Sequence, residues 1–397
     1  MPSLQPSTAN RPLRVMFLIT SMPVGGAETL LYNLVRGMDR SRFLPEICCL
    51  KEPGLLGEEL QAEMSIHSGL LHHKYDFRVL FRLRKLFRQR QIDAVITVGA
   101  GDKMFWGRWA ARLARIPVVV SALHSTGWPD GVGRLNRLLT RWTDAFIAVA
   151  NTHAQFLVEY EKFPIEKVHT IHNGVDTHRF TPGDPLPVRN ALGISLTAPV
   201  VGIVAALRSE KNHELFLQGA QQIARKMPET QFLVIGDGPR REFLQHLAQQ
   251  LNLTEVVHFL GSRDDIPQLL SACNVLALTS HNEANPVSIL EAFSNGCPVV
   301  ASEVGSIRET VTPDETGCLF PAGDTDAYVE AILNLLSDPS QSLQFGSEGR
   351  RRVQQDWSLT GMIEGYQSLI ANLYASKTRQ SLVAESATTH WAGTGLA

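Results

Sequence analysis

The sequence predicts an α/β protein of two doubly wound domains, each a parallel sheet covered by helices on both faces. Three observations predict it. Short β-type apolar runs alternate with amphipathic, helix-length stretches along most of the chain, as parallel strands buried on both faces require. The 397 residues exceed what one undivided core usually holds. The segment Phe180–Pro187, with three prolines and a glycine, separates two series of such runs and reads as a linker.

In the first series the strand candidates are Leu13–Thr20, Leu44–Leu50, Ala94–Val98, Val118–Ser121, Ala145–Val149 and Val168–Ile171. In the second they are Val200–Ala205, Phe232–Ile235, Val256–Phe259, Val275–Leu278, Val299–Ala301 and Cys318–Phe320. After Ser340 the pattern is helical only. The predicted layout is a disordered N-terminus to residue 12, a first domain over 13–180, a linker over 181–195 and a second domain over 196–356. A helix over 357–376 and a small, polar, disordered tail from 377 follow.

Composition narrows the function classes. Hydrophobic content of 44% and charged content of 19% are those of an ordinary globular protein. The five cysteines, Cys48, Cys49, Cys273, Cys297 and Cys318, show no metal-ligand spacing and read as reduced thiols in a cytoplasmic protein. No stretch reaches the roughly 18 uncharged apolar residues of a membrane span, and the polar opening is not a signal peptide. Up to Phe180 there are 23 Lys+Arg against 16 Asp+Glu, and beyond it 14 against 23. The basic first half could face an anionic partner such as lipid or a phosphorylated acceptor. Nucleic acid is not expected, because the basic residues form no recognisable binding module.

In doubly wound sheets ligands bind beyond the C-terminal strand ends, and the motifs fall there. HNEANPVSILEAFSNGCPVVAS, His281 to Ser302, follows a strand, with Asn285 as expected N-cap and Pro286 as first helical residue. A helix N-terminus there offers N–H groups and positive dipole to a phosphate. Glu283 lies ahead of that helix and Glu291 inside it, so one ligand could meet both; a capped helix with two solvated glutamates is the bland reading. Arg208 and Lys211 leave another strand before a helix capped by Asn212, a compact pyrophosphate clamp or merely surface charge. Gly25 and Gly26, in GGAE, let backbone approach a ligand, or form a plain turn. They are neither a dinucleotide fingerprint nor a P-loop. HNGVD, His172 to Asp176, contains a turn signal, His124 follows a strand, and GDGP, from Gly236, ends one. The triplet Asp324-Thr325-Asp326 reads as helix capping, so no metal site is expected.

Together, GGAE, His124, HNGVD, Arg208 with Lys211, GDGP, Phe259–Gly261 and the pair Glu283/Glu291 occur in the order found in retaining glycosyltransferases of family 4, which the chain resembles from about Arg14 to Tyr374. The resemblance implies a GT-B fold: two Rossmann-like domains, acceptor-binding then nucleotide-sugar-binding, and a final helix crossing back to the N-terminal domain. Arg208 and Lys211 would neutralise the leaving diphosphate. Glu291 would hold the ribose hydroxyls, Glu283 the donor sugar, and Asn285, Pro286 and Val287 the sugar or phosphates. Gly25 and Gly26 would line the diphosphate from the opposite domain, His124 would approach the transferred sugar, and Arg263 would face the base. Asn285-Pro286-Val287 departs from a more glycine-rich stretch in many relatives and leaves the sugar open.

The implied activity is metal-independent, cofactor-free, retaining transfer of a hexose or N-acetylhexosamine from a nucleotide-diphosphate sugar to a glycan or lipid-linked acceptor in cell-surface polysaccharide biosynthesis. A sugar phosphorylase, a nucleotide-sugar epimerase and a non-catalytic nucleotide-sugar-binding protein are the alternatives; a dinucleotide oxidoreductase is disfavoured by the missing glycine fingerprint. Arg78 to Arg90 holds six basic residues among Val, Leu and Phe. It is either a peripheral contact with an anionic membrane at the inner face or a surface helix packed on its own sheet.

Overall fold

The computed structural model describes residues 11–73, 76–99, 102–124 and 137–392. The polar start expected to be disordered, apart from Arg11 and Pro12, and the last five residues lie outside them. Among the described residues the strands are β1 (Leu13–Ile19), β2 (Phe43–Cys49), β3 (Ile66–His67), β4 (Ala94–Val98), β5 (Val118–Ala122), β6 (Ala145–Ala148) and β7 (Val168–Thr170). They form one parallel sheet in the order β3-β2-β1-β4-β5-β6-β7. The rest, β8 (Val200–Val204), β9 (Gln231–Ile235), β10 (Val257–Gly261), β11 (Val275–Leu278), β12 (Val299–Ser302) and β13 (Gly317–Phe320), form a second in the order β10-β9-β8-β11-β12-β13. Every pairing is parallel.

Each run foreseen as a strand is one, within two residues at either end, because residues buried on both faces leave an unbroken apolar signature. Val15 to Leu18 and Leu276 to Leu278 are buried, as central strands must be. The strand β3 escaped notice: two residues held by the pairs Ile47↔Ile66 and Cys48↔His67 are too short for any periodicity.

The chain divides into two compact units. The first comprises 1–148, 156–171 and 363–397, and the second 149–155 and 172–362. The segment 172–180, assigned from sequence to the first domain, therefore belongs to the second. The expected linker 181–195 is also structured there: Leu186–Ala191 is helical, and buried Arg189 donates to the carbonyls of Ala272, Ser195, Leu196 and Ala198. Prolines and a glycine marked a turn, but a guanidinium with this many acceptors fixes it.

The final helix, Leu359–Ala392, begins in the second unit and belongs to the first from Ile363 on. There Gln367 accepts the Asp39 N–H at 2.7 Å, and Lys377 pairs with Asp144 at 2.7 Å. The tail expected to be disordered from 377 instead continues this helix to Ala392. No helix of the described residues is long and apolar enough to cross a membrane. All five cysteines are free thiols.

Candidate functional site

Strand order reverses once in each sheet, between β1 and β4 and between β8 and β11. Beyond the C-terminal strand ends, such a reversal leaves a crevice where ligands bind. In the second unit the loops leaving β8 and β11 carry Arg208 with Lys211 and Glu283 with Asn285, so the two strongest motifs flank one crevice.

After β8 the chain makes a 3-10 turn, Ser209–Lys211, and Asn212 takes a left-handed φ of 48° that few residues other than glycine tolerate. Its side chain caps the helix His213–Lys226 by accepting the Leu215 N–H, as the sequence predicts. Thr279, one residue past β11, sets its Oγ1 3.1 Å from the Lys211 carbonyl and 2.9 Å from that of Asn212. The His281 N–H donates to the Glu210 carbonyl at 2.8 Å. These bonds stitch the two loops together. As a result Lys211 Nζ stands 2.5 Å from Glu283 Oε1, and Ser280 Oγ donates to the same oxygen at 2.7 Å.

Glu283 is buried and Lys211 half-buried, so each ion compensates the other's desolvation. Both partners reach Oε1, and neither reaches Oε2. Behind the glutamate the backbone of Gly305, at φ +55°, passes so close that a Cβ there would lie 1.7 Å from the Glu283 carbonyl oxygen. Arg208 is exposed, and its guanidinium makes no hydrogen bond or ion pair among the described residues. Buried His213 has its pKa pushed down to about 4 by burial, with Lys211 and Arg240 adding to it. It is neutral near pH 7 and leaves the positive charge of this loop to Arg208 and Lys211.

The helix of the second loop spans Val287–Ser294, with Pro286 in the N-cap position and no side-chain cap bond. The expectation that Asn285 caps it is thus corrected. The Asn285 carbonyl instead accepts from Asn173 Nδ2 at 2.9 Å. Its own amide is buried with neither Oδ1 nor Nδ2 partnered among the described residues. Leaving such a group unpaired costs about 1–3 kcal/mol, which a polar ligand of matching shape would offset. The N–H groups of Val287 and Ser288, the first two of this helix, have no intrahelical acceptor, and an anion is favourable there; that of Ile289 donates to the Pro286 carbonyl at 3.2 Å.

Glu291 sits one turn further in and is half-buried. Burial pushes its carboxyl up to about 7, partly opposed by Arg179. No hydrogen bond or ion pair among the described residues engages it, so it is a hydrogen-bonding group without a structural job.

The remaining sequence candidates fare unevenly. Gly236 follows β9 at φ +136°, and a Cβ there would meet the Ala205 carbonyl oxygen at 2.1 Å. The close approach made by this glycine is to the chain's own backbone, beside the Arg208 loop. Exposed Arg263, past β10, pairs with Asp265 at 2.6 Å. In the first unit Gly25 and Gly26 open the helix Gly26–Gly37 after β1, at that sheet's reversal point, and half-buried His124 follows β5. Asp324 caps the helix Thr325–Ser337 by accepting the Ala327 N–H at 3.0 Å, as expected of that triplet.

Sequence reasoning missed Ser280, Gly305 and the anchoring role of Asn173. Ser280 was legible as a hydroxyl at a strand end beside Glu283. Nothing local marks the other two, whose partners lie far along the chain.

A model of the group 1 glycosyl transferases matches residues 187–352, and one of glycosyltransferase family 4 matches residues 24–179. The chain belongs to the group 1, family 4 glycosyltransferases. Among curated members of this family, an Escherichia coli UDP-Gal:alpha-D-GlcNAc-diphosphoundecaprenol alpha-1,3-galactosyltransferase is 27% identical over 76% of this chain and 81% of its own. A Corynebacterium glutamicum GDP-mannose-dependent monoacylated alpha-(1-6)-phosphatidylinositol monomannoside mannosyltransferase is 27% identical over 70% of this chain and 75% of its own. The crystal structure of Anabaena Alr3699/HepE with UDP and glucose superposes with a TM-score of 0.81, covering 90% of this chain and 99% of that one at 22% identity. The architecture is that of GT-B glycosyltransferases.

Proposed function

We propose that this family 4 member transfers a hexose or N-acetylhexosamine, with retention of configuration, from a nucleotide-diphosphate sugar to a glycan or lipid-linked acceptor in cell-surface polysaccharide biosynthesis. The observation that carries the reading is the Lys211–Glu283 pair at 2.5 Å beside the buried, unpartnered Asn285 amide at the β8/β11 reversal. A cation, a carboxylate, an orphan amide and a helix N-terminus together suit a ligand that is both anionic and rich in hydroxyls. The relatives named for UDP-Gal and GDP-mannose use such donors, and two of the compared proteins act on lipid-bearing acceptors by name.

In this reading Arg208 and Lys211 neutralise the leaving diphosphate, the largest electrostatic demand of the reaction. They do so without a resident metal or cofactor. Glu283 Oε2 and the Asn285 amide receive the sugar hydroxyls, Pro286 and Val287 backbone the sugar or phosphates, and Glu291 the ribose. Gly236 and Arg263 flank the base, Gly25 and Gly26 meet the diphosphate, and His124 the transferred sugar. The acceptor oxygen bonds to the anomeric carbon as the bond to the phosphate oxygen breaks; the acceptor's proton passes to the departing phosphate. Attack and departure on one face retain the configuration, and Glu283 need not act as a nucleophile, unlike the second carboxylate of retaining hydrolases. The five free thiols suit a reducing cytoplasm.

Thermal-shift screening of nucleotide sugars, followed by mass analysis of products with and without EDTA, tests this. Expected are stabilisation by one donor class and an acceptor heavier by one glycosyl unit, undiminished by EDTA. Isomerised donor without a glycosylated acceptor would point to an epimerase, and a strict metal requirement would overturn the assignment of charge neutralisation to Arg208 and Lys211.

A further inference from the structure

The six basic residues of Arg78–Arg90 divide into two sets. Arg82 pairs with Asp76 at 2.7 Å, Arg90 holds Glu46 at 2.8 Å, and Arg84 donates to the Leu113 carbonyl at 3.2 Å. Arg78, Lys85 and Arg88 are exposed, and their side chains form no ion pair among the described residues. With Phe81 they follow at intervals of three, four and three residues, which places all four on one face of the helix Val79–Gln89. The opposite face, Val79, Leu80, Leu83 and Phe87, is buried. Thus the apolar face of the amphipathic pattern packs on the protein, while the outward face is basic with an aromatic ring at its centre.

Phe81 is 67% exposed and Phe77, just ahead of the helix, 64%. Two phenylalanines this open within one turn are unusual for a surface serving no partner. Phe77 meets Trp106 edge-on at 5.8 Å, and Trp106 stacks against Trp109 at 6.3 Å. The helix follows β3 and Trp106 lies near the start of the helix after β4. The exposed rings therefore sit at the C-terminal edge of the first sheet, the edge that also carries Gly25 and Gly26.

We propose that this face is a docking surface for an anionic lipid bilayer, with Phe77 and Phe81 entering the interfacial layer and Arg78, Lys85 and Arg88 on the headgroups. Unpaired cations with no carboxylate in the helix call for a surface of distributed negative charge, and the rings beside them for an apolar layer beneath it. The proposal deepens the reading of a lipid-linked acceptor, because the aromatic end of the surface lies at the ligand-binding edge of its own sheet.

Co-sedimentation of the full chain with phosphatidylglycerol/phosphatidylcholine vesicles tests it. The parent protein should bind these vesicles, release in high salt, and bind pure phosphatidylcholine at least tenfold less. Lys85→Glu with Arg88→Glu should lower partitioning by roughly tenfold or more, since each cation near an anionic surface contributes about a fivefold factor. Phe81→Ser should separately lower it by roughly tenfold, the scale of withdrawing one large apolar side chain from the interfacial layer. The thermal midpoint should stay unchanged. Arg225→Glu with Lys226→Glu, exposed at the end of a helix in the second unit, is the charge-matched control and should bind as the parent does. No binding by the parent, an equal loss in the control, or a Phe81→Ser variant that loses only self-association would overturn the proposal. Donor hydrolysis in solution should be unaffected by Phe81→Ser. A protein that binds vesicles yet turns over no nucleotide sugar would refute the enzymatic reading and leave the docking surface standing.

Discussion

Glu291→Gln separates what the carboxyl does for stability from what it does for a ligand. Its ordinary pKa is 4.5, and burial raises it to about 7. A carboxyl whose folded pKa lies above its unfolded one contributes stability that is fully present below pH 4.5 and is lost as pH rises towards 7. A shift of that size is worth ~3 kcal/mol at most. Because the side chain is half-buried, solvent screening reduces this, and the working figure is about 2 kcal/mol. Glutamine keeps the shape and cannot ionise. Glu291→Gln should therefore match the parent at about pH 4 and exceed it at pH 8 by about 5 °C in the melting of the second unit.

Donor binding should move the other way. If the ionised carboxyl accepts the ribose hydroxyls, parent affinity should rise about tenfold between pH 6 and pH 8, following the ionised fraction of a group titrating near 7. An intact nucleotide sugar is the ligand of choice, since its diphosphate diester does not titrate in this range. Calorimetry in buffers of different ionisation enthalpy should show a proton released on binding at pH 6 by the parent and none by Glu291→Gln. A variant that is no more stable at pH 8, and that binds donor with the parent's affinity and pH slope, would refute both the burial argument and the ribose role.

Three further outcomes follow from the same geometry. Lys211→Ala should lower turnover by roughly 10²–10³, the scale of losing one preorganised stabiliser of developing charge, measured in single-turnover assays with donor saturating. Glu291→Ala should instead weaken donor binding by about 1.5–3 kcal/mol with turnover little changed; a reversed pattern in the two variants would show the roles misassigned. Gly305→Ala, at φ +55° against the Glu283 carbonyl, should cost on the order of 1–3 kcal/mol of stability and weaken donor binding without touching a ligand, and a variant with parent-like melting and binding would show the close approach to be incidental.

Much of this protein is legible in local order. The buried parallel strands advertise themselves as short apolar runs, so the strands beyond β3 and their assignment to two sheets follow from the sequence. Motifs just after strands mark the crevice ends, and the Asn212 and Asp324 caps are written in single residues and their neighbours. The resemblance of the motif order to family 4 added residue roles that no one spacing carries.

What only the tertiary structure decided are pairings between distant loops. Lys211 meets Glu283 across 72 positions and Asn173 meets Asn285 across 112, because strand order brings the loops after β8 and β11 together and no local pattern encodes that order. The same cause moved the N-cap from Asn285 to Pro286: a competing long-range bond takes the Asn285 carbonyl and leaves its amide buried without a partner among the described residues. Arg189 turned an expected linker into a fixed part of the second unit, and the final helix outran its expected end. Among the six cations of Arg78–Arg90, burial and ion pairing chose the three left facing outward. Periodicity shows that a helix has two faces; the fold decides which one is covered.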